Sequence, residues 1–424
     1  MVTRYSNNSV FLAAFICIIL FYSGLIKVKD KNNFFSLISE NNITALQGQL
    51  ISSPAKTSDG KFYCARMKVW NVQDLEIQIN ASASGCINVY IPSSLAEALY
   101  PGKLYSKSTA KGNGKGYLWE AGGCYCVQGS FNSEGKKFYI SSCNSSFFPQ
   151  TFYGRFDYFR ALCRLQFKRL MYSWGAAGGL LLALLCGSKE YTSAELSLCF
   201  RNAGLSHILA LSGMHLSMFS GIALFFGKKI GRKKLSFIIR IIALILFVWF
   251  AGLSPSLMRA FICSLLMIIA AISNVKKPDM LIILAFSFLC QTIIVPSDIY
   301  NAGFILSYSA LAGILLFNRF FQRVYVYLMP KYFANSFASS TGAQIFTAPV
   351  SLGLFGSFAP VGIVATAVVS PFVTVFIYSG LFLIILSLLI PVLAFPSGIF
   401  INLQYTVISF LVAFFSKAPV WRIN

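Results

Sequence analysis

The sequence predicts a polytopic α-helical membrane protein, about 8–10 membrane segments, with an N-terminal extracytoplasmic all-β OB-like domain. Three observations predict it. Of 424 residues, 56% are hydrophobic and only 11% charged, against ~25% charged in a soluble domain. Mean hydropathy is +0.68, and 41 residues are Phe. One stretch, 41–148, breaks this pattern with a polar, Gly- and Ser-rich, alternating sequence. A soluble fold lacks the polar surface to cover so much apolar material.

Taken in chain order, the first element is the apolar run 10–26, preceded by Arg4 and followed by Lys27, Lys29 and Lys31. No small-x-small cleavage site closes it, so residues 1–30 read as an uncleaved membrane anchor; a cleaved signal peptide is the alternative. In 41–148, strand-like alternation recurs at 62–70, 75–79, 87–91 and 137–140, with Gly-containing turns at 58–60, 112–114 and 134–135. This predicts a small barrel of five or six strands, with a sandwich as the alternative. Cys64, Cys86, Cys124, Cys126 and Cys143 all fall in this region. So many cysteines in a small domain point to an oxidising compartment and one or two disulfides, with free buried thiols as the competing reading.

Next, Arg155, Arg160, Arg164, Lys168 and Arg169 recur at helical spacing among aromatic and aliphatic residues. Residues 155–172 are therefore expected to form a basic amphipathic helix in the membrane interface, against lipid headgroups. Residues 174–424 form the transmembrane domain. The run 174–187 is short for a span and reads as re-entrant. Candidate spans follow at 206–226, 235–253, 256–273, 279–295, 302–318, 341–358, 361–390 and 392–416, with Pro371 expected to break 361–390 in two.

The net charge of +22 comes from 35 Lys and Arg against 13 Asp and Glu. It is concentrated in the membrane part, which favours anionic partners, whether phospholipid heads or nucleic acid; the positive-inside rule is the plainer account. Lys228, Lys229, Arg232, Lys233 and Lys234 mark one loop as cytoplasmic, as do Lys276 and Lys277 after the next hairpin. Counting back from these loops puts the β domain outside, in agreement with its cysteines. Only two His are present, which excludes most multi-His metal enzymes; no metal or other cofactor is expected.

Both histidines, His207 and His215, lie in one segment together with Ser212 and Gly213. On one continuous helix they would line a polar face or form a hydrogen-bonded pair. Ser206, Ala210, Gly213, Ser217 and Ser220 form a small-residue stripe suited to close helix packing. Ser212-Gly213 is also a candidate helix break, which would turn backbone groups toward a cavity. Ser254-Pro255-Ser256 is a helix start, with Ser254 as N-cap and Pro255 at the first position. Arg259 follows one turn later, where it either snorkels to the interface or lines an aqueous path. The chain has no phosphate-binding loop, no H-E-x-x-H and no G-x-S-x-G.

With these residues in place, 155–375 resembles the ComEC competence proteins. The stretch from Gly204 through His207, Ser212 and Gly213 to His215 is similar to that family's GLxHLLAxSGxH pattern. Ser254-Pro255-Ser256 with Arg259-Ala260 resembles its SPS-x-x-RA element, and Gly303-Phe304-Ile305-Leu306-Ser307-Tyr308 its GFQLSF segment. Ala348-Pro349, Phe355-Gly356, Ala365 and Pro371 resemble the last shared block. Three departures are Ile305 for Gln, Asn301-Ala302 for Asp-Pro, and Thr366 for Asn. The resemblance implies a multi-pass channel in the cytoplasmic (inner) membrane of a bacterium that passes single-stranded DNA during transformation. His207, Ser212, Gly213, His215, Arg259, Ser307 and Tyr308 are its candidate DNA-path residues. Many members carry a C-terminal metallo-β-lactamase-like nuclease with an HxHxDH motif. No His follows His215, so that domain is expected to be absent and the chain is expected not to be an enzyme. Expected partners are single-stranded DNA, membrane lipids, and a separate DNA receptor, nuclease and cytoplasmic ATPase; a homo-oligomer is left open. The alternative is a membrane transporter or envelope enzyme acting on another anionic polymer or lipid.

Overall fold

The computed structural model describes residues 9–26, 34–57, 59–74, 79–102, 104–105, 116–132, 137–188, 190–211, 213–229, 233–273, 275 and 278–422. Several expectations lie outside them: the turns at 112–114 and 134–135, residue 58, most of the strand at 75–79, Ser212, Lys27, Lys29, Lys31, Arg232, Lys276 and Lys277. The side chains of Lys228, Lys229, Lys233 and Lys234 lie outside them too.

Helix α1 (Ser9–Tyr22) comes first. The strand-rich region follows, with β1 (Phe35–Ser36), β2 (Ala45–Leu50), β3 (Ala55–Lys56), β4 (Phe62–Asp74), β5 (Ile79–Ser84), β6 (Cys86–Pro92), a turn of helix α2 (Ser93–Ala96), β7 (Cys124–Phe131) and β8 (Lys137–Phe147). Five strands close a ring. β2 pairs with β4 and β7, β4 with β6, and β7 with β8, all antiparallel, while β6 and β8 close the ring in parallel. Period-two alternation supplies the interior, where Leu46, Met67, Val69, Val89, Ile91, Val127 and Phe138 are buried. The sequence reading missed β2 and β7, whose Gln and Gly residues dilute the strand pattern.

The helical part comprises α3 (Phe152–Ser173), α4 (Gly175–Cys186), α5 (Ala194–Asn202), α6 (Ser206–Leu209), α7 (Gly213–Lys229), α8 (Lys233–Ala251), α9 (Pro255–Ile272), α10 (Met280–Ile294), α11 (Ala302–Val326), α12 (Lys331–Phe355), α13 (Gly362–Leu389) and α14 (Ala394–Ser416). A two-residue ladder joins β9 (Ser357–Phe358) to β10 (Trp421–Arg422). Among the described residues four helices, 255–272, 302–326, 362–389 and 391–416, are long and apolar enough to cross a membrane; five further apolar helices are shorter.

Three clusters of buried apolar side chains organise these helices. The largest surrounds α4, every residue of which from Ala177 to Cys186 is buried, and draws on α3, α5, α13 and α14. A second joins α7, α8 and α9. The third docks α1 on α10 and α11, where the Tyr22 hydroxyl donates to the Ile299 carbonyl and the Tyr300 hydroxyl to that of Phe21.

Two expectations are corrected here. Pro371 does not divide 361–390: α13 runs unbroken through it. A proline removes one backbone donor, here the one that would bond the Ala367 carbonyl, and the helix continues on either side of it. The segment 206–226, by contrast, is not one helix. It divides into α6 and α7, with Ala210 extended between them.

Candidate functional site

The break after α6 determines the site. It separates the two histidines, leaving His207 exposed on α6 and His215 fully buried on α7. The single polar face expected of a continuous helix is therefore not formed. The small-residue stripe is interrupted at the same place: Ser206 and Ala210 are exposed, Gly213 starts α7, and Ser220 is buried further along it. Among the described residues, no group of three or more His, Cys, Asp or Glu could hold a metal.

Helix α9 starts as expected, with the Ser254 side chain accepting from Leu257 N–H and Pro255 in the first turn. Arg259 is 9% exposed and does not snorkel. Its Nη1 donates to the Ser307 carbonyl of α11, and the guanidinium carbon lies 6.0 Å from the centre of the Tyr308 ring, a cation–π distance. A Cβ built on Gly213 would sit 3.5 Å from Arg259 Nη2. That is an ordinary contact distance, so the start of α7 lies against the cation. Gly213, Arg259, Ser307 and Tyr308, drawn from three separate motifs, meet at one place.

Tyr308 was expected as a stacking group. It is instead packed against Phe288 and Phe304. Its hydroxyl donates to Gln291 Oε1 at 3.1 Å and lies 3.3 Å from Ser287 Oγ. Gln291 also donates to Pro255 O at 3.0 Å and Asp298 Oδ2 at 2.9 Å, tying α10 to the start of α9. Asn301 caps α11, accepting from Gly303 N–H at 2.8 Å. It therefore performs the capping role open to an Asp at that position.

The basic helix α3 is only half what its sequence suggests. Its first turns expose Phe152, Tyr153, Phe156 and Phe159, as an interfacial helix would. Arg164, Lys168 and Arg169 instead turn into the protein and are buried, because the β domain supplies partners for them. Arg164 Nε meets Glu120 Oε1 at 3.0 Å, and its Nη1 donates to Phe250 O at 2.7 Å. Lys168 Nζ lies 3.4 Å from Glu120 and 3.1 Å from Glu190, and also bonds the Tyr100 hydroxyl at 3.0 Å. Ser53 donates to Glu120 Oε2 at 2.6 Å. The result is a buried quartet of two cations and two carboxylates where the β domain, α3 and the segment after α4 join. Burial alone would push the Glu120 carboxyl up, but Arg164 and Lys168 beside it bring it down to about 2. Burial alone would push the Lys168 ammonium down; facing Glu190, it is held above its ordinary value.

No disulfide joins Cys64, Cys86, Cys124, Cys126 and Cys143; all are free thiols. Across the ladders Cys64 faces Tyr90, Cys86 faces Lys68, Cys124 faces Phe147, Cys126 faces Ser145, and Cys143 faces Val127. No cysteine is opposite another. The Cys143 thiol, packed against the barrel core, is pushed up to about 12 by burial.

The sequence reading missed Glu120, Glu190, Gln291 and Arg240. The signal available for Arg240 was a charge in the middle of an apolar helix; its Nε donates to Ser220 Oγ on α7.

Comparison with known proteins agrees with these motifs. A family model described as Competence protein matches residues 184–424. ComE operon protein 3 of Bacillus subtilis (strain 168) is 26% identical over 204 residues, which cover 48% of this chain and 25% of that protein. The chain thus spans about a quarter of the length of the curated relative it matches. No solved structure matches.

Proposed function

The chain belongs to the competence protein family, and from that membership we propose that it is a channel carrying single-stranded DNA across the cytoplasmic membrane of a bacterium. The observation that carries this reading is the meeting of Gly213, Arg259, Ser307 and Tyr308 around a buried guanidinium held by a carbonyl and a ring rather than by a carboxylate. A cation left without a counter-charge in an apolar helix bundle suits a passing anion. Phosphates supply that anion, and the stretch around Arg259 is where they would leave bulk water.

The β domain is proposed to be extracytoplasmic and OB-like. In support, its five ring strands follow the order first, second, third, fifth, fourth and back to the first. OB barrels take up oligonucleotides on their second and third strands. Here those are β4 and β6, whose outward residues include Arg66, Lys68, Trp70 and Tyr90, with Tyr139 stacked on Tyr90 at 4.9 Å. Basic groups interleaved with aromatic faces suit a single strand. The chain then acts as a conduit, while a separate receptor, nuclease and cytoplasmic ATPase deliver, trim and pull the strand.

The test is entry of labelled DNA into cells with and without the gene, and with Arg259→Ala or Arg259→Lys at matched protein level. Entry should depend on the gene, fall in Arg259→Ala and fall less in Arg259→Lys. Equal entry with and without the gene would refute the channel reading.

A further inference from the structure

We propose that Arg240 and Arg259 form a two-step track for the phosphodiester backbone of a single strand, laid along one face of α7; this rests on the channel reading above. The two guanidiniums come from neighbouring helices, α8 and α9, yet both are directed at α7. Arg259 reaches Gly213, and Arg240 donates to Ser220 Oγ. Gly213 and Ser220 are seven residues apart, so they share a face two turns long, about 10 Å at 1.5 Å per residue. Ser217 lies between them on that side and is exposed, its hydroxyl turned back to Met214 O.

Among the described residues, neither cation is paired with a carboxylate. The ion pairs among the described residues involve Lys56, Arg164 and Lys168. No Asp or Glu occurs in the sequence between Glu195 and Asp279, so α7, α8 and α9 contain none. Arg259 Nε is buried with no hydrogen-bond partner, although the residue is only 9% exposed. Arg240 sits in mid-helix, while Ile238, Ile242, Ile245 and Leu246 of the same helix are about half exposed. Its hydrogen bond to the Ser220 hydroxyl on α7 draws it inward.

Charges at membrane depth cost several kcal/mol unless something offsets them. Here the residues that would do so are absent from the sequence of all three helices, whereas a polyanion would supply the charge from outside. At the 3.4 Å rise per nucleotide of a helical strand, about 10 Å spans roughly three nucleotides. Two contacts at that spacing hold a strand weakly and at more than one point, which permits it to move on.

The experiment uses the full chain in nanodiscs and a fluorescent fifteen-residue oligothymidylate, with affinity measured over a series of KCl concentrations. Each lost phosphate contact lowers the slope of log K against log salt by about 0.7 for a single strand. Arg240→Gln and Arg259→Gln should each lose about that much, the double variant about twice as much, and Arg240→Lys should keep the slope. A slope reduced in Arg259→Gln but unchanged in Arg240→Gln overturns the track and leaves the channel reading standing. Unchanged slopes in both, together with normal DNA entry, overturn the track and take Arg259 out of the DNA path, whereas the channel reading falls only if entry is equal with and without the gene. If Arg240→Gln alters only binding of phosphatidylglycerol vesicles, the residue anchors a lipid headgroup and the track is wrong. Should Arg240→Gln not fold, Ser217→p-benzoyl-phenylalanine in an otherwise native chain decides: the oligomer should crosslink there, and intact binding without crosslinking overturns the proposal.

Discussion

Replacing Glu120 by Gln keeps the shape of the side chain and removes one of four buried charges. The quartet then carries two cations and only Glu190. Two routes give the cost. Removing one partner of a buried ion pair costs about 3–5 kcal/mol. Independently, Glu120 lies at about 2 against an ordinary 4.5, and at about 1.4 kcal/mol for each pKa unit this is about 3 kcal/mol. Both routes place the loss near 3 kcal/mol, roughly a hundredfold in an opening equilibrium. The carboxylate is depressed in the folded state, so its contribution is complete above the unfolded value near 4.5 and is lost as pH falls from there toward 2. Native-state hydrogen exchange on the full chain in detergent reads this directly. Backbone amides of 118–126 and 160–170 should open about a hundredfold more often in Glu120→Gln at pH 7. The wild type should approach the variant only below pH 4.5. Exchange in Glu120→Gln within twofold of wild type would refute the claim that this quartet holds the β domain to the helices.

Three further outcomes are expected. Ser254→Ala removes the cap of α9 and should lower stability by about 1 kcal/mol in thermal denaturation, with Ser254→Asp restoring it; equal melting of all three would show that the cap is irrelevant. Tyr308→Phe keeps the ring under Arg259 but loses the hydroxyl that joins Ser287 and Gln291, so melting should drop by about 1 kcal/mol while DNA entry persists; lost entry with unchanged melting would reverse the assignment. The purified chain should leave DNA intact in the presence of divalent metal, and cleavage abolished by His207→Ala would contradict this.

Helix placement was legible in the sequence because a helix in an apolar setting must run long enough in one register to satisfy its own backbone. The eight candidate spans correspond to α7 through α14. Ser254 and Pro255 gave the start of α9 from local chemistry alone. Pairing was not legible. Arg164, Lys168 and Arg169 read as a lipid-facing stripe because Glu120 and Glu190, far away in the chain, gave no local hint of their destination. The five cysteines suggest a disulfide by number, but which of them become neighbours, as Cys126 and Cys143 do across β7 and β8, is set by ladder register, a long-range property. Tyr308 and Arg259 were found through their motifs, but the break at Ala210, which brings Gly213 to them, appeared in the sequence only as one of two readings of Ser212-Gly213.

Helix α4 has a bearing on how the chain is made. With 12 residues it is about 18 Å long, well short of the ~30 Å hydrocarbon thickness. All its side chains from Ala177 to Cys186 lie inside the protein, so in the folded chain that stretch turns no face to lipid. The residues that enclose it include Val369, Val373, Phe376 and Ile377 of α13 and Ile401 and Ile408 of α14, which leave the ribosome about two hundred residues later. Asn402 of α14 then bonds the carbonyl of Trp174 at 3.0 Å, at the very start of α4. The centre of the bundle therefore cannot assemble during synthesis of the first half. It waits for α13 and α14, and a nascent chain arrested before α13 would hold an apolar segment too short to span the membrane and not yet enclosed by protein.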